Sequence, residues 1–212
     1  QYSGTVMVTS SDDGYNAAGG SDSSGTQGPG GWGQGGSMSG DYSLVINGGY
    51  TYVNAGGDGL DSNGTLTVNG GYVFVSQTGG GNSPIDCDST WNYNGGVVVA
   101  GGSSDMFSES IPAKYSFLTT DSISAGSTVT FADSNGSVIA TMTFANASQE
   151  MVMCSSESSV TCYSGGTVTD AEYFSVSSAN ENMKAGCGGT ISGETTLSSS
   201  SGGGNQRPGG WG

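Results

Sequence analysis

The chain contains no histidine, and only three of its 212 residues are lysine or arginine (Lys114, Lys184 and Arg207). Without histidine, Ser-His-Asp triads, imidazole acid–base chemistry and most zinc sites are excluded. Eighteen acidic residues against three basic ones give a formal net charge of −15, and such a surface repels nucleic acid. Proline is scarce, at 4 residues, although glycine reaches 41. The glycines follow no three-residue period, which removes a collagen-like helix. No stretch of about 18 consecutive apolar residues occurs, so no membrane span is expected. Hydrophobic residues make up 33% of the chain, too few for a large globular core. The four cysteines, Cys87, Cys154, Cys162 and Cys187, contain no Cys-x-x-Cys pair, which speaks against a thiolate metal cluster. Three full pairings are possible, and one or two disulfides fit an extracellular setting. Joining Cys162 to Cys187, each near a Gly-Gly turn, is the favoured pair.

What the chain does have is a repeat. Leu44–Val53 reads as two short alternating strands hinged at Asn47-Gly48-Gly49. Leu66–Val75 repeats the pattern around Asn69-Gly70-Gly71, and Trp91–Ala100 around Asn94-Gly95-Gly96. The hinge asparagines are 22 and then 25 residues apart. A period in the twenties, built of strands and turns, predicts an all-β solenoid. Ser3–Val8 aligns with Gly48–Val53, so the chain opens halfway through a rung, as expected after processing or excision from something longer.

Alternate residues of a strand face opposite sides. Stacking the repeats puts Val6, Thr51, Val73 and Val98, with Val8, Val53, Val75 and Ala100, on one face. These small and β-branched side chains suit a narrow interior. The opposite face carries Thr5, Tyr50, Tyr72 and Val97, with Met7, Tyr52, Phe74 and Val99, and is expected to point outward. Its aromatics, Tyr50, Tyr52, Tyr72 and Phe74, have two readings. They stack on one another or pack beneath a capping region, or they offer a platform for sugar rings.

An acidic turn follows each strand pair: Asp12–Asn16, Asp58–Asn63 and Ser83–Asp88. Aligned, Asp13, Asp58 and Ser83 form one column, and Asn16, Asp61 and Asp86 another. Stacked carboxylates repel unless a cation neutralises them, and calcium accepts several oxygen ligands in irregular geometry. The competing reading is that Asp, Asn and Gly simply close turns through local hydrogen bonds. No EF-hand spacing is present.

Residues 1–109 are therefore expected to be parallel β-helix rungs, interrupted by a Gly/Ser-rich insertion at 20–40. Residues 110–196 are expected to be a β-rich cap or small sandwich packed on the solenoid end. Its strand-like runs are Ser127–Ala132, Val138–Ala145 and Glu150–Cys154, with a hairpin signal at Asp133–Gly136. Residues 197–212 read as a flexible Gly/Ser tail. Its Pro208-Gly209-Gly210-Trp211-Gly212 echoes Pro29-Gly30-Gly31-Trp32-Gly33, either as linker composition or as a tether to a neighbouring chain.

The turn Gly56-Gly57-Asp58-Gly59-Leu60-Asp61-Ser62-Asn63-Gly64, the strands of Leu66–Val75 and the turn Asn82–Asp88 together resemble a known family. It is the secreted bacterial carbohydrate-binding β-helix family, related in fold to polysaccharide lyase family nine. The resemblance covers most of the chain, more weakly at 3–19 and 115–196. It implies a right-handed parallel β-helix with bound Ca2+, which binds acidic or cellulosic polysaccharide without cleaving it. It implies calcium ligands at Asp13, Asp58, Asp61, Asp86 and Asp88. Cys87 stands where the family often has an aromatic, and Pro84-Ile85 replaces a pair of small residues. Lyases of related fold use a lysine or arginine base beside calcium, and none lies in the repeat, so no enzyme activity is expected. The sequence thus predicts an extracellular or cell-surface polysaccharide-binding protein of bacterial type. The rival expectation is a structural subunit of an extracellular filament or matrix, self-associating by head-to-tail stacking of β-helix ends.

Overall fold

The computed structural model describes residues 1–18, 41–103, 111–112, 114–174 and 183–197. The insertion at 20–40, the tail from residue 198 and both Pro-Gly-Gly-Trp-Gly motifs lie outside the described residues. The described chain is all-β, with eighteen strands and no α-helix.

The first ten strands are β1 (Thr5–Ser10), β2 (Tyr15–Ala17), β3 (Ser43–Ile46), β4 (Tyr50–Ala55), β5 (Leu60–Ser62), β6 (Thr65–Val68), β7 (Tyr72–Gln77), β8 (Ile85–Cys87), β9 (Thr90–Tyr93) and β10 (Val97–Gly102). Each of β1 to β7 pairs in parallel with the strand three places later. This gives one ladder β1-β4-β7-β10, a second β2-β5-β8 and a third β3-β6-β9. The register follows the repeat: Val8 pairs with Val53, Val53 with Val75, and Val75 with Ala100. Inward side chains of all three ladders meet in one aliphatic core, including Val53, Val73, Val75, Leu60, Leu66 and Ile85.

The Asn-Gly-Gly hinges hold that register. Gly49, Gly71 and Gly96 have φ of +86°, +85° and +85°, where L side chains are strained. A Cβ at any of them would also collide with the carbonyl oxygen of the rung before, that of Gly4, Gly49 and Gly71 respectively. The hinge asparagines form an amide ladder: Asn69 Nδ2 donates to Asn47 Oδ1 at 2.7 Å, and Asn94 Nδ2 to Asn69 Oδ1 at 2.8 Å.

Beyond β10 the pairing turns antiparallel. The later strands are β11 (Phe117–Thr119), β12 (Thr128–Ala132), β13 (Val138–Thr143), β14 (Glu150–Cys154), β15 (Thr161–Thr169), β16 (Glu172–Phe174), β17 (Ala185–Cys187) and β18 (Thr190–Thr196). β14 pairs antiparallel with β10, and β11 with β14, which extends the first ladder to six strands. The remaining strands form a second six-stranded sheet, β16-β17-β13-β12-β15-β18. Asp133 closes the β12–β13 hairpin, accepting from the Asn135 and Ser137 amides at 2.8 and 2.9 Å.

This second sheet does not sit on the end of the repeats. It lies against the outer flank of the first ladder, where Tyr52, Phe74 and Val99 share a core with Phe131, Met142 and Phe174. The face expected to point outward is therefore largely covered: Tyr52 and Phe74 are 3% and 1% exposed, and Tyr50 and Tyr72 are half-buried. Both faces of these strands are apolar, so both find a partner. The expected Cys162–Cys187 disulfide is also corrected. Cys162 lies on β15 and Cys187 on β17, with β12 and β13 between them. Three strand spacings, roughly 14 Å, far exceed disulfide reach. None of the four cysteines is in a disulfide.

Candidate functional site: the acidic ladder

The strands β2, β5 and β8 are only three residues long, and their side chains alternate. Leu60 and Ile85 point into the aliphatic core, as does Tyr15 at the first rung. The middle residue of each strand therefore faces out, and these are Asn16, Asp61 and Asp86, in direct register. Just before them, Asp13, Asp58 and Ser83 form the second column. Asp13 Oδ1 accepts from the Asp58 amide at 2.8 Å, and Asp58 Oδ1 accepts from the Ser83 amide at 2.5 Å. Each carboxylate thus caps the backbone of the next rung, a contact between rungs and not the local turn closure of the competing reading. Asn16 Nδ2 donates to Asp13 Oδ2 at 2.7 Å. Asn63 Nδ2 approaches Asp88 Oδ2 at 3.5 Å from the preceding rung.

The two expected columns are both present, and their electrostatics differ. Burial pushes the Asp58 carboxyl up to about 6, against the lowering effect of the Ser83 amide, with Asp86, Asp13 and Asp12 adding repulsion. Asp61 rises to about 7, first through burial and then through repulsion by Asp13, Asp58, Asp86 and Asp88. None of its leading influences is a hydrogen bond or a cation that offsets this rise. Burial and mutual repulsion thus both disfavour full ionisation of the ladder. All of its donors are oxygens, the type that suits a hard cation such as calcium. Among the described residues, however, no three His, Cys, Asp or Glu side chains converge closely enough to hold a metal ion by themselves.

The four aromatics expected as a sugar platform are brought together, but as packing. Tyr50 stacks on Tyr72 with centroids 5.6 Å apart, and Tyr52 on Phe74 at 6.4 Å. Phe174 of the second sheet covers them, 3.7 Å from Tyr50 and 5.4 Å from Tyr72. The Tyr52 hydroxyl donates to the Thr143 carbonyl, and Asn146 Nδ2 donates to Asn54 Oδ1 at 2.7 Å. Tyr52 and Phe74 are closed to a ligand by this cover, whereas Tyr50 and Tyr72 stay half-exposed. Sequence reasoning missed Phe174 and Asn146, which pin the cover. The available signal was the alternation of Val129 and Phe131 and of Ala140 and Met142, an apolar face that needs a partner.

Sequence reasoning also left the third ladder unassigned. With Leu44, Leu66 and Trp91 turned inward, its outward columns are Ser43–Thr65–Thr90 and Val45–Thr67–Asn92, continued at the corner by Asn47–Asn69–Asn94. Of the basic residues, Lys184 lies over the Tyr173 ring at 3.9 Å, on the second sheet.

Comparison of the chain with family models, with curated proteins and with solved structures finds no match.

Proposed function

We propose that the three ladders are the walls of a right-handed parallel β-helix that binds polysaccharide at the surface of a bacterial-type cell, with Ca2+ and without cleavage. The observation that carries the reading is the register that sets carboxylates of adjacent rungs side by side, Asp61 against Asp86 and Asp13 against Asp58, where they repel one another. A cation between rungs removes that conflict. Asp13, Asn16, Asp58, Asp61, Asp86 and Asp88 are the residues that would hold it, two or so from adjacent rungs at a time. A shell left incomplete by the protein has positions to fill, and uronate carboxylates supply hard oxygens for them. The bridge lets a chain of net charge −15 hold an anionic polymer.

The rival reading, a filament subunit, draws on the place of β1 and β2 at the first edge of their sheets among the described residues. Head-to-tail stacking also needs the far edge of β10, and β14 occupies it. The binding reading is therefore preferred. Sedimentation with calcium-gelled polygalacturonate, in calcium or chelator and beside a control lacking polymer, tests both. Pelleting only with polymer, lost in chelator, is the expected outcome. Pelleting in the control would favour the filament, and protein in the supernatant throughout would sink both readings.

A further inference from the structure

We infer that Asn47-Gly48, the first hinge of the repeat, is a self-modification site, where the Asn47 amide is lost as ammonia and replaced by a carboxylate. Water is the only co-reactant. A solvent base takes the Gly48 amide proton, and the Gly48 nitrogen attacks Asn47 Cγ. The new C–N bond closes a cyclic succinimide, the Cγ–Nδ2 bond breaks, and the leaving nitrogen takes a proton from water to depart as ammonia. Water then opens the ring. Opening at Cγ gives aspartate; opening at the main-chain carbonyl gives isoaspartate, with the backbone rerouted through Cγ. A following glycine leaves the attacking nitrogen unhindered, and five asparagines have one: Asn47, Asn63, Asn69, Asn94 and Asn135.

The fold separates the five. The Gly64 amide donates to Ser62 Oγ at 3.3 Å and the Gly136 amide to the Asp133 carbonyl at 3.1 Å. The Gly48, Gly70 and Gly95 amides donate to no described residue. Carboxylates also stand at the two non-hinge sites: Asp88 Oδ2 lies 3.5 Å from Asn63 Nδ2, and Asp133 Oδ2 lies 3.5 Å from Asn135 Nδ2. The attack builds negative charge, which these carboxylates oppose. Within the hinge ladder, direction decides. Asn47 Oδ1 accepts from Asn69 Nδ2 at 2.7 Å, so a donor already faces the oxygen on which charge develops. Asn47 Nδ2, the group that leaves, donates to no described residue. Asn69 and Asn94 hold their leaving nitrogens in the ladder, at 2.7 and 2.8 Å. The products differ in the same sense. A carboxylate at 47 still accepts from Asn69, more strongly than the amide does. A carboxylate at 69 or 94 sets oxygen against oxygen and removes a ladder bond. Asn47 and Gly48 are half-exposed, so water reaches them.

The test holds the folded full chain in mildly alkaline buffer made with heavy-oxygen water and follows the five sites by peptide mass mapping. Asn47 is expected to convert several-fold faster than each of the other four, to take up heavy oxygen, and to give both aspartate and isoaspartate. In denaturant the five rates should draw together. Asn69→Ala, which removes the facing donor, should slow conversion of Asn47 several-fold in the folded chain. Asn47→Asp should leave the melting temperature unchanged, and Asn94→Asp should lower it. Asn47 converting no faster than Asn135 in the folded chain overturns the inference. A folded Asn69→Ala variant that converts Asn47 at the wild-type rate overturns it too. If Asn69→Ala melts early, the ranking of the five rates in the wild type decides alone.

Discussion

The molecule has two hydrophobic cores fed by the same strands, and they are built on different principles. The core between the three ladders is aliphatic and repetitive: Val53, Val75 and Ala100 occupy one column, and Leu60 and Ile85 another. The core between the two six-stranded sheets is irregular, with Phe117, Phe131, Phe144, Met142, Met151 and Met153 all fully buried and none part of a repeat. On β4, Val53 enters the first core and Tyr52 the second. A repetitive column is satisfied by its nearest neighbours, so it specifies rung spacing and little else. An irregular core is satisfied by one arrangement only, so it decides how the flanking sheet sits.

The largest effect is expected from breaking the irregular core. Phe74→Ala should cost about 3–5 kcal/mol. Leu66→Ala in the aliphatic column should cost about 2–5 kcal/mol. Both should move a single urea transition, because strands β4, β7 and β10 belong to both cores. An early separate transition in the Phe74 variant would show the cores to be independent units.

A repeat hinge and the hairpin turn differ in the same way. Gly71 and Gly136 both have positive φ, +85° and +81°. A Cβ at Gly71 meets the backbone of the previous rung, whereas one at Gly136 meets nothing within 4 Å. Gly136→Ala should cost about 1 kcal/mol from backbone strain alone. Gly71→Ala should cost on the order of 1–3 kcal/mol from strain, with the collision added. Equal losses on thermal melting would mean that the rungs slide apart freely at the hinge.

The smallest effect is electrostatic, since Asp58 and Asp61 are only half-buried and solvent screens them. Both carboxyls titrate higher in the fold, near 6 and 7, than in an unfolded chain. The folded state therefore holds these protons more tightly. Their contribution is fully present below about pH 4 and is lost as pH rises through about 7. In chelator, the melting temperature should fall across that window. Calcium should raise it most at pH 8, and Asp61→Asn should stabilise the chelated protein there while shrinking the calcium increment. A melting temperature in chelator that rises from pH 5 to pH 8 would contradict the assignment.

The register was legible in the sequence because the hinge Asn-Gly-Gly counts residues: one slip would expose Leu66 and bury Thr67. The acid columns followed from the same register. The direction of the aromatic face was not legible, because Tyr50–Val53 is apolar on both sides and alternation alone does not say which side turns inward. Its cover comes from residues such as Phe174 and Asn146, remote in the chain and outside any repeat. The Cys162–Cys187 pairing failed for a related reason: strand order in a non-repeating sheet is not written in turn spacing.

The reversal of direction at β14 has a consequence for how such a chain can change in length. Strand β10 is held by an antiparallel neighbour, so a unit gained or lost by unequal exchange must fall among the parallel strands before that boundary. A unit copied from β4 or β7 carries another aromatic pair that needs a roof. The cover already thins at β1, where the aromatic positions hold Thr5, exposed, and Met7, only half-buried. Copy number and the width of the second sheet are thus bound to vary together.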